Sequence, residues 1–527
     1  MRFLTYSPGA GVYVVADTDA PPLRCARYDS RISLSLRETT SADPEALVWW
    51  PPLARLITQA EAALLPGFVV VQPTTRTRNP AQIAWTTVQG VINSDADLTS
   101  GKYGIKIRGD GVAVLPGGSW RSDVPGVPCF VVKAGVTRRI IMQDCNFFGY
   151  GMNGYHTSGM VLLENGNNVE FRECMRFSGK PPAGYAGAFP GKDYCADNAR
   201  SVFEINCESY GTSGGFCAEW QDGGITMTER FRFENTRKRN IDGRMVDAAG
   251  NWRTGEAPYV DRFPACFVAI TGAREIKGVV GTNNWYDNDP EYGAHGEDAI
   301  SVVGSSVAPG WPGSFMHHLV ENWLSYDPAF TGVQPIHGLK PNLAKIGNSG
   351  TMGNAADGAN ASGTPRNATT VSHGWKFDDH LVITGSNGGL SMATGNNIEI
   401  ANSVMLSAAA FRSRAPAGYT IVGVNEALGT TTVGLIIWDQ YTGGDPAVYF
   451  DIRDTNNTVG WHYALNDGTI RTNHFFAPSA HTSTGRVILP TIADIPAGLA
   501  RNDTYRAAFL NRWRDAGTII GCTTPAP

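Results

Sequence analysis

The chain has 527 residues, of which 61 are Gly and only 17% are charged, and its formal net charge is −5. That balance gives no electrostatic footprint for nucleic acid or for insertion into an anionic membrane, so the expected partner is neutral, cationic or a carbohydrate. Length alone suggests roughly two to four domains, but abundant Gly without long helical periodicity favours a β-rich chain full of turns.

The first 45 residues carry short apolar runs broken by Pro and Gly, as in a small β module or an attachment arm. The stretch MRFLTYSPGAGVYVVADTD lacks a charged leader followed by a long apolar run, and no segment reaches membrane-spanning length. Synthesis in a reducing cytoplasm is expected, with any export by a route other than a standard secretion signal. Within 51–65, Leu53, Leu56, Ile57, Ala60 and Leu64 follow helical spacing between a Pro pair and Pro66-Gly67, which predicts a short amphipathic helix. It would cap the open end of a solenoid or pack within a module spanning 1–95.

From about residue 96 a unit of strand, turn and strand recurs. Met160/Leu162 and Val169/Phe171 flank the turn Glu-Asn-Gly-Asn-Asn; Phe130/Val132 and Ile140/Met142 flank KAGVTRR. Phe267/Ala269 with Ile276, and Leu390/Met392 with Ile398/Ile400, repeat the pattern. The first strands at Phe130 and Met160 are 30 residues apart and the second strands at Ile140 and Val169 are 29 apart. A coil that cannot bury its own face must stack on a neighbour, so this period predicts a parallel β-helix over 96–405, with rungs from Ile105/Ile107 through Phe203/Ile205 and Phe231/Phe233. Insertions must leave as loops: FSGKPPAGYAGAFPGKDYCADNAR, KRNIDGRMVDAAGNWRTGEAPYVDRFPA and WYDNDPEYGAHGED are the longest, and 345–370 is a Gly/Asn/Ala-rich excursion. Longer strands over 406–480, with an Asn466-Asp467-Gly468 turn, predict a separate antiparallel β module; 481–527 reads as a terminal cap with a helix near 504–513.

Nine cysteines show neither Cys-x-x-Cys spacing nor a Cys/His pairing like a zinc site, and the odd number argues against a full disulfide set. Cys145, Cys174 and Cys207 fall at equivalent places in successive coils and are expected as stacked, buried thiols. No metal or cofactor is implied. Gly211-Thr212-Ser213-Gly214-Gly215 matches Gly-x-Ser-x-Gly but lacks the alternating α/β setting of a nucleophile elbow, and His317-His318 and Asp378-Asp379-His380 read as structural.

Ionisable groups are densest in NNWYDNDPEYGAHGEDAISVVG, where Glu297 and Asp298 stand at the entrance of a strand over 299–303 with His295, Trp285 and Tyr286 nearby. Glycoside hydrolysis needs two carboxyl groups, and lyase chemistry needs a base and a group that quiets a carboxylate. Glu219 and Asp222, in CAEWQDGG, are the candidate partners. The alternatives for these acids are a calcium site or ordinary turn residues.

The units KAGVTRRIIM, ENGNNVEF, TGNNIEI and GEDAISVVG resemble the rungs of the right-handed parallel β-helix proteins of the pectate-lyase-like group, over about residues 100–405, and among them bacteriophage tailspikes and tail fibres. The layout of N-terminal module, β-helix and terminal β segment, including ILPTIADIPAGL, is similar to phage fibres. The resemblance implies a homotrimer in a virion tail, attached to other tail proteins through its N-terminal module, that binds or cuts host surface polysaccharide. Asp298 or Glu297 with Glu219 or Asp222 would be acid and base. Trp220, Trp252 and Trp285 would be sugar-stacking platforms, with Tyr286 and His295 beside them. A spike that only binds, and a bacterial polysaccharide lyase or epimerase, are the alternatives.

Overall fold

The computed structural model describes residues 78–152, 159–197, 199–218, 230–253, 265–271, 276–288, 296, 299–303, 305–322, 372–384, 395–407, 449–460, 481–485, 487–489, 504–516, 518 and 520–522, and elsewhere the backbone of paired strands. Three long parallel sheets run the length of the molecule, coil on coil, as a parallel β-helix. Sheet 1 holds ten strands, from Gly90–Ser94 to Val433–Ile437. Sheets 2 and 3 begin as halves of the two long strands Ala113–Arg121 and Arg139–Phe148 and end at His481–Thr484 and Val487–Leu489.

The turn from sheet 2 to sheet 3 is always two residues long. Its first residue takes positive φ, as at Asn206 (φ 51), Asn235 (φ 49), Asn283 (φ 55) and Asn402 (φ 49). Asn tolerates this left-handed region better than most residues. Its second residue points inward, giving a buried column that includes Cys145, Cys174, Cys207, Thr236, Asn284 and Asn457. The eight described cysteines are buried thiols outside any disulfide, and Cys145, Cys174 and Cys207 stack as their spacing led one to expect. Burial pushes the Cys129 thiol up to about 12. Asn284 and Asn457 bond the backbones of neighbouring coils, Asn284 Nδ2 donating to the Phe233 carbonyl at 2.8 Å and Asn457 Nδ2 to that of Ile400 at 2.9 Å.

Pairing register corrects three sequence-level faces. Phe130 pairs with Val161, and Val132 with Leu163, so Val161 and Leu163 line the interior rather than Met160 and Leu162. Val268 and Ile270 likewise face inward where Ala269 does not, while Phe267 at the entrance of the strand stays in the core, its ring 4.6 Å from the buried Lys238 ammonium. In MVLL and FVAI every position is apolar, so alternation cannot choose a face and the neighbouring coil does. In SVFEI the choice is unexpected: Val169 pairs with Val202 and Phe171 with Glu204, which turns Glu204 in and leaves Phe203 outside beneath the Arg139 guanidinium, 5.0 Å from the ring.

Two expected modules also change. Arg55–Ile57, inside the helix expected over 51–65, is a strand paired antiparallel with Val12–Asp17 in a four-stranded sheet. A short helix is marginal on its own because its nucleation is costly, and pairing with a neighbouring strand stabilises the segment instead. The end of the stack is capped instead by a helix over Asp95–Thr99, capped by Ser94, with Leu98 buried and the Asp95 carboxylate accepting from the Thr137 backbone N–H at 3.0 Å and hydroxyl at 2.6 Å. The strands expected as a separate antiparallel module over 406–480 continue the solenoid: Val433–Ile437, Tyr449–Thr455 and Thr458–Gly460 pair parallel with Gly388–Met392, Gly395–Ala401 and Val404–Ser407. A hairpin of Tyr463–Ala464 and Ile470–Arg471 flanks the Asn466-Asp467-Gly468 turn.

A helix over Thr504–Asp515 lies where helical spacing placed one. Phe509 and Trp513, one turn apart on a single face, bury against Leu319 and Leu381 of sheet 3. The chain beyond it returns along the same sheet, where Cys522 N–H donates to Glu208 at 3.0 Å and Arg78, near the other end of the described chain, donates to Glu208 at 2.7 Å.

Gly214 packs one coil against the next. It has φ +78, and a Cβ there would lie 1.5 Å from the Cys266 carbonyl oxygen. Gly214→Ala is therefore expected to cost about 3 kcal/mol or more, through backbone strain added to overlap with an immovable main-chain atom. Urea unfolding followed by circular dichroism would show it, and an unchanged midpoint would mean that these coils do not approach so closely.

Candidate functional site

Nearly all long insertions leave the coil at the two edges of sheet 1. Between sheet 3 and sheet 1 the chain makes excursions of 14 residues after Phe177, 28 after Arg239 and 21 after Asn322; between sheet 1 and sheet 2 it makes one of 28 after Gly347. The uniform two-residue turn at the third corner leaves no room for such loops. Sheet 1 is thus the floor of the region where loop side chains can gather.

Two of these insertions build a stiff shelf. Tyr150–Met152 pairs antiparallel with Ala188–Pro190, and Val246 N–H donates to the Ala188 carbonyl at 2.9 Å. Val246 in turn bridges Trp252 across a turn in which Asp247 accepts from the Asn251 N–H at 2.8 Å. The half-buried Trp252 is held on this hairpin. The Arg244 guanidinium lies 4.4 Å from its ring centroid and the Lys180 ammonium 5.9 Å away. Arg244 is fixed by the buried Asp242, whose two carboxylate oxygens accept from Nε at 3.1 and 3.0 Å and from Nη2 at 2.7 Å. This arrangement holds a half-buried indole under cations on an ordered loop.

The other candidates are distributed differently. Trp220, Glu219, Asp222, His295, Glu297 and Asp298 lie outside the described residues. What the described strands establish is the frame: the chain leaves sheet 1 after Ala218, passes through it again at Val268–Thr271, and enters it once more at Ile300, two coils on. Ala218 stands three residues along the strand direction and two rungs from Ile300, about 14 Å away at the backbone. Tyr286 faces the interior, 1% exposed, and Trp285 is covered by the C-terminal helix, its ring 3.9 Å from the Arg237 guanidinium and its Nε1 donating to Glu321 at 2.9 Å. Neither is placed to meet a sugar, because the alternation that makes one inward sets the other beneath the helix.

The strongest electrostatics are sealed inside. Arg176, Asp193, Glu204 and Lys238 are all fully buried. Arg176 pairs with Glu204, and Lys238 Nζ reaches Glu204 and Asp193 at 2.9 Å each. The Tyr194 hydroxyl donates to Glu204 at 3.1 Å, with Gly215 leaving room for that hydroxyl where a Cβ would come within 2.4 Å. Burial opposes ionisation of Asp193, but Lys238 and Arg176 hold its carboxyl below the usual range. Sealed from solvent, this cluster organises the coil. His318 and His380, expected as structural, are buried with perpendicular rings 5.1 Å apart. Among the described residues no group of three or more His, Cys, Asp or Glu is arranged to hold a metal ion, and no helix is long and apolar enough to cross a membrane.

Sequence reasoning missed Trp311, which is 41% exposed in the turn before the sheet 2 strand Gly313–Met316. Its signal was local: Pro-Gly-Trp-Pro-Gly places an indole between turn residues, where no strand can bury it. No protein-family model matches the sequence, and no curated protein is similar to it.

Proposed function

We propose that this chain is a virion spike of the tailspike or tail-fibre type, which recognises a host cell-surface polysaccharide along the loop-bearing edges of sheet 1. The observation that carries this reading is the concentration of long insertions at those two edges, with an ordered aromatic and cationic shelf on one of them. A rigid solenoid with loops on one side provides an extended surface matched to a chain-like ligand. The N-terminal strands, paired among themselves as far as they are described, would attach the spike to other tail proteins, and three copies would assemble around a common axis.

Cleavage is the second part of the proposal. Glycosidase carboxyl groups stand about 5–10 Å apart. Glu297 or Asp298 paired with Glu219 or Asp222 would have to meet across sheet 1, with the substrate lying over the sheet between them. Polysaccharides from candidate host bacteria, incubated with the protein and sized by chromatography, test this directly. Shortened chains with the ultraviolet absorbance of an unsaturated sugar would show elimination; shortened chains without it would show hydrolysis. Changing the acids to amides is expected to lower turnover by about 100-fold or more while binding survives. Binding without shortening in any host would leave a receptor-binding spike, and a monomer that cuts polysaccharide without binding cells would favour a bacterial catabolic enzyme.

A further inference from the structure

The chain runs over the outer face of sheet 3 from both directions and meets at one side chain. From Arg78 it passes Trp85, whose ring lies 5.9 Å from Phe148 and 6.2 Å from Phe177, and reaches Thr86, which bridges Trp120 at the first coil. From the other direction the C-terminal helix buries Phe509 and Trp513 on Leu319 and Leu381. The residues after it reach Gly521, whose N–H donates to the Asn235 carbonyl at 2.6 Å, and Cys522, which packs in the same cluster as Trp85. We infer that Glu208, where the two segments meet, is a clasp through which each of them holds the other on sheet 3.

Glu208 is only 3% exposed. Its Oε1 accepts from the Cys522 N–H at 3.0 Å and from Arg78 Nη2 at 2.8 Å, and its Oε2 accepts from Arg78 Nε at 2.7 Å and from the Tyr210 hydroxyl. Arg78 Nη2 also reaches the Cys522 carbonyl at 3.4 Å. Arg237, paired in register with Glu208 on the next coil, gives its guanidinium to Asp287 instead. Gly521 closes over the carboxylate: it has φ +85, and a Cβ there would lie 2.4 Å from Oε1. Each segment supplies what the other needs. The C-terminal residues keep water from the carboxylate, which strengthens its pairing with Arg78. The guanidinium in turn neutralises a charge that those residues could otherwise cover only at a large desolvation cost. Contacts that strengthen one another are coupled, and the coupling is reciprocal. A pull on the chain before Arg78 is therefore shared with the C-terminal helix and the coils beneath it.

Amide hydrogen exchange on the full-length protein, read by mass spectrometry of fragments, tests the clasp. Arg78→Ala should speed exchange at Gly521, whose N–H bonds Asn235 and not Glu208, by about tenfold; Arg78→Lys, which keeps the charge but loses the two-pronged grip, should have a smaller effect. In the reverse direction, Gly521→Ala adds a methyl group that displaces the carboxylate from Arg78. It should speed exchange at Thr86 and Arg121, which bond Ser119 and Thr86 at 2.8 and 2.9 Å, by about tenfold. Val169 and Phe171, in the core of sheet 2, serve as the internal reference and should not change. Faster exchange confined to the mutated segment would overturn the clasp, since the two segments would then be held separately. Unchanged exchange in both would overturn it as well, and so would acceleration shared equally by Val169 and Phe171, which would show a general loosening of the coils.

Discussion

Glu204→Gln should destabilise the protein by about 3–5 kcal/mol although the side chain keeps its size, because it strands two buried cations. Arg176 and Lys238, both fully buried, share Glu204, and after the change Asp193 alone remains to balance them. No cavity forms, so the loss measures charge and hydrogen bonding and not packing. A second variant separates this from general damage at the site. Arg176→Met combined with Glu204→Met removes one cation with its anion and leaves Lys238 on Asp193; it should recover most of the loss, since buried ion pairs replaced together by apolar groups of similar volume are often neutral. Chemical unfolding of the three proteins side by side decides it. A cost under about 1 kcal/mol for Glu204→Gln would mean that water reaches the cluster.

The second large effect depends on pH. Burial lowers the His318 pKa to about 3, and His380 is pushed well below its ordinary value by burial and by the His318 ring beside it. Both rings are therefore neutral when folded, whereas in the unfolded chain each takes up a proton below about pH 6.5. The unfolded state binds more protons across this window, so stability is intact above it and falls as the pH drops from about 6.5 towards 3. With two such groups the slope approaches about 2.7 kcal/mol per pH unit near pH 5.

The neighbours of the pair are apolar or uncharged: Phe315 meets His318 edge-on and Phe377 lies tilted against His380, Asn284 lies 3.3 Å from His318 Nε2, and the His380 backbone N–H donates to the Ser403 hydroxyl at 3.1 Å. The titratable and charged groups outside this pair, His317, Asp379 and Arg512, lie on the outer face under the C-terminal helix, where His317 and Arg512 both bond Asp379. Thermal midpoints recorded from pH 7 to pH 4 should fall steeply in the wild type. Replacing both rings with Asn, the residue that fills this column at positions 284 and 457, should flatten the profile even if it lowers the midpoint overall. An unaltered slope in that variant would assign the acid lability to other groups.

The repeat period was legible because a solenoid writes its pairing into the chain. Phe130 and Val161, Ile140 and Val169, or Phe171 and Glu204 occupy matching places roughly thirty residues apart, so one coil announces the next. The stacked cysteines were legible for the same reason: a two-residue corner of constant length puts Cys145, Cys174 and Cys207 in one column. The C-terminal helix could be seen because Phe509 and Trp513 are four residues apart, with Asn511 and Arg512 between them.

Other features needed the fold. Nothing in SVFEI says that the acid goes in and the phenylalanine out. Glu204 enters because Arg176 and Lys238 wait on the opposite wall, 28 and 34 residues away, and a buried charge is tolerated only with such partners. Trp285 and Trp252 look alike as aromatic residues in loop-rich stretches. One is covered by a helix that begins more than two hundred residues later, and the other is displayed on a hairpin braced by the preceding insertion. The sequence by itself determined a β-helix, its period and the places where loops leave, since these depend on local alternation and fixed turn length. Which side chains face the lumen, which lie beneath the C-terminal segment and which are displayed on the loops were decided by tertiary structure alone, because each depends on partners that only stacking brings together.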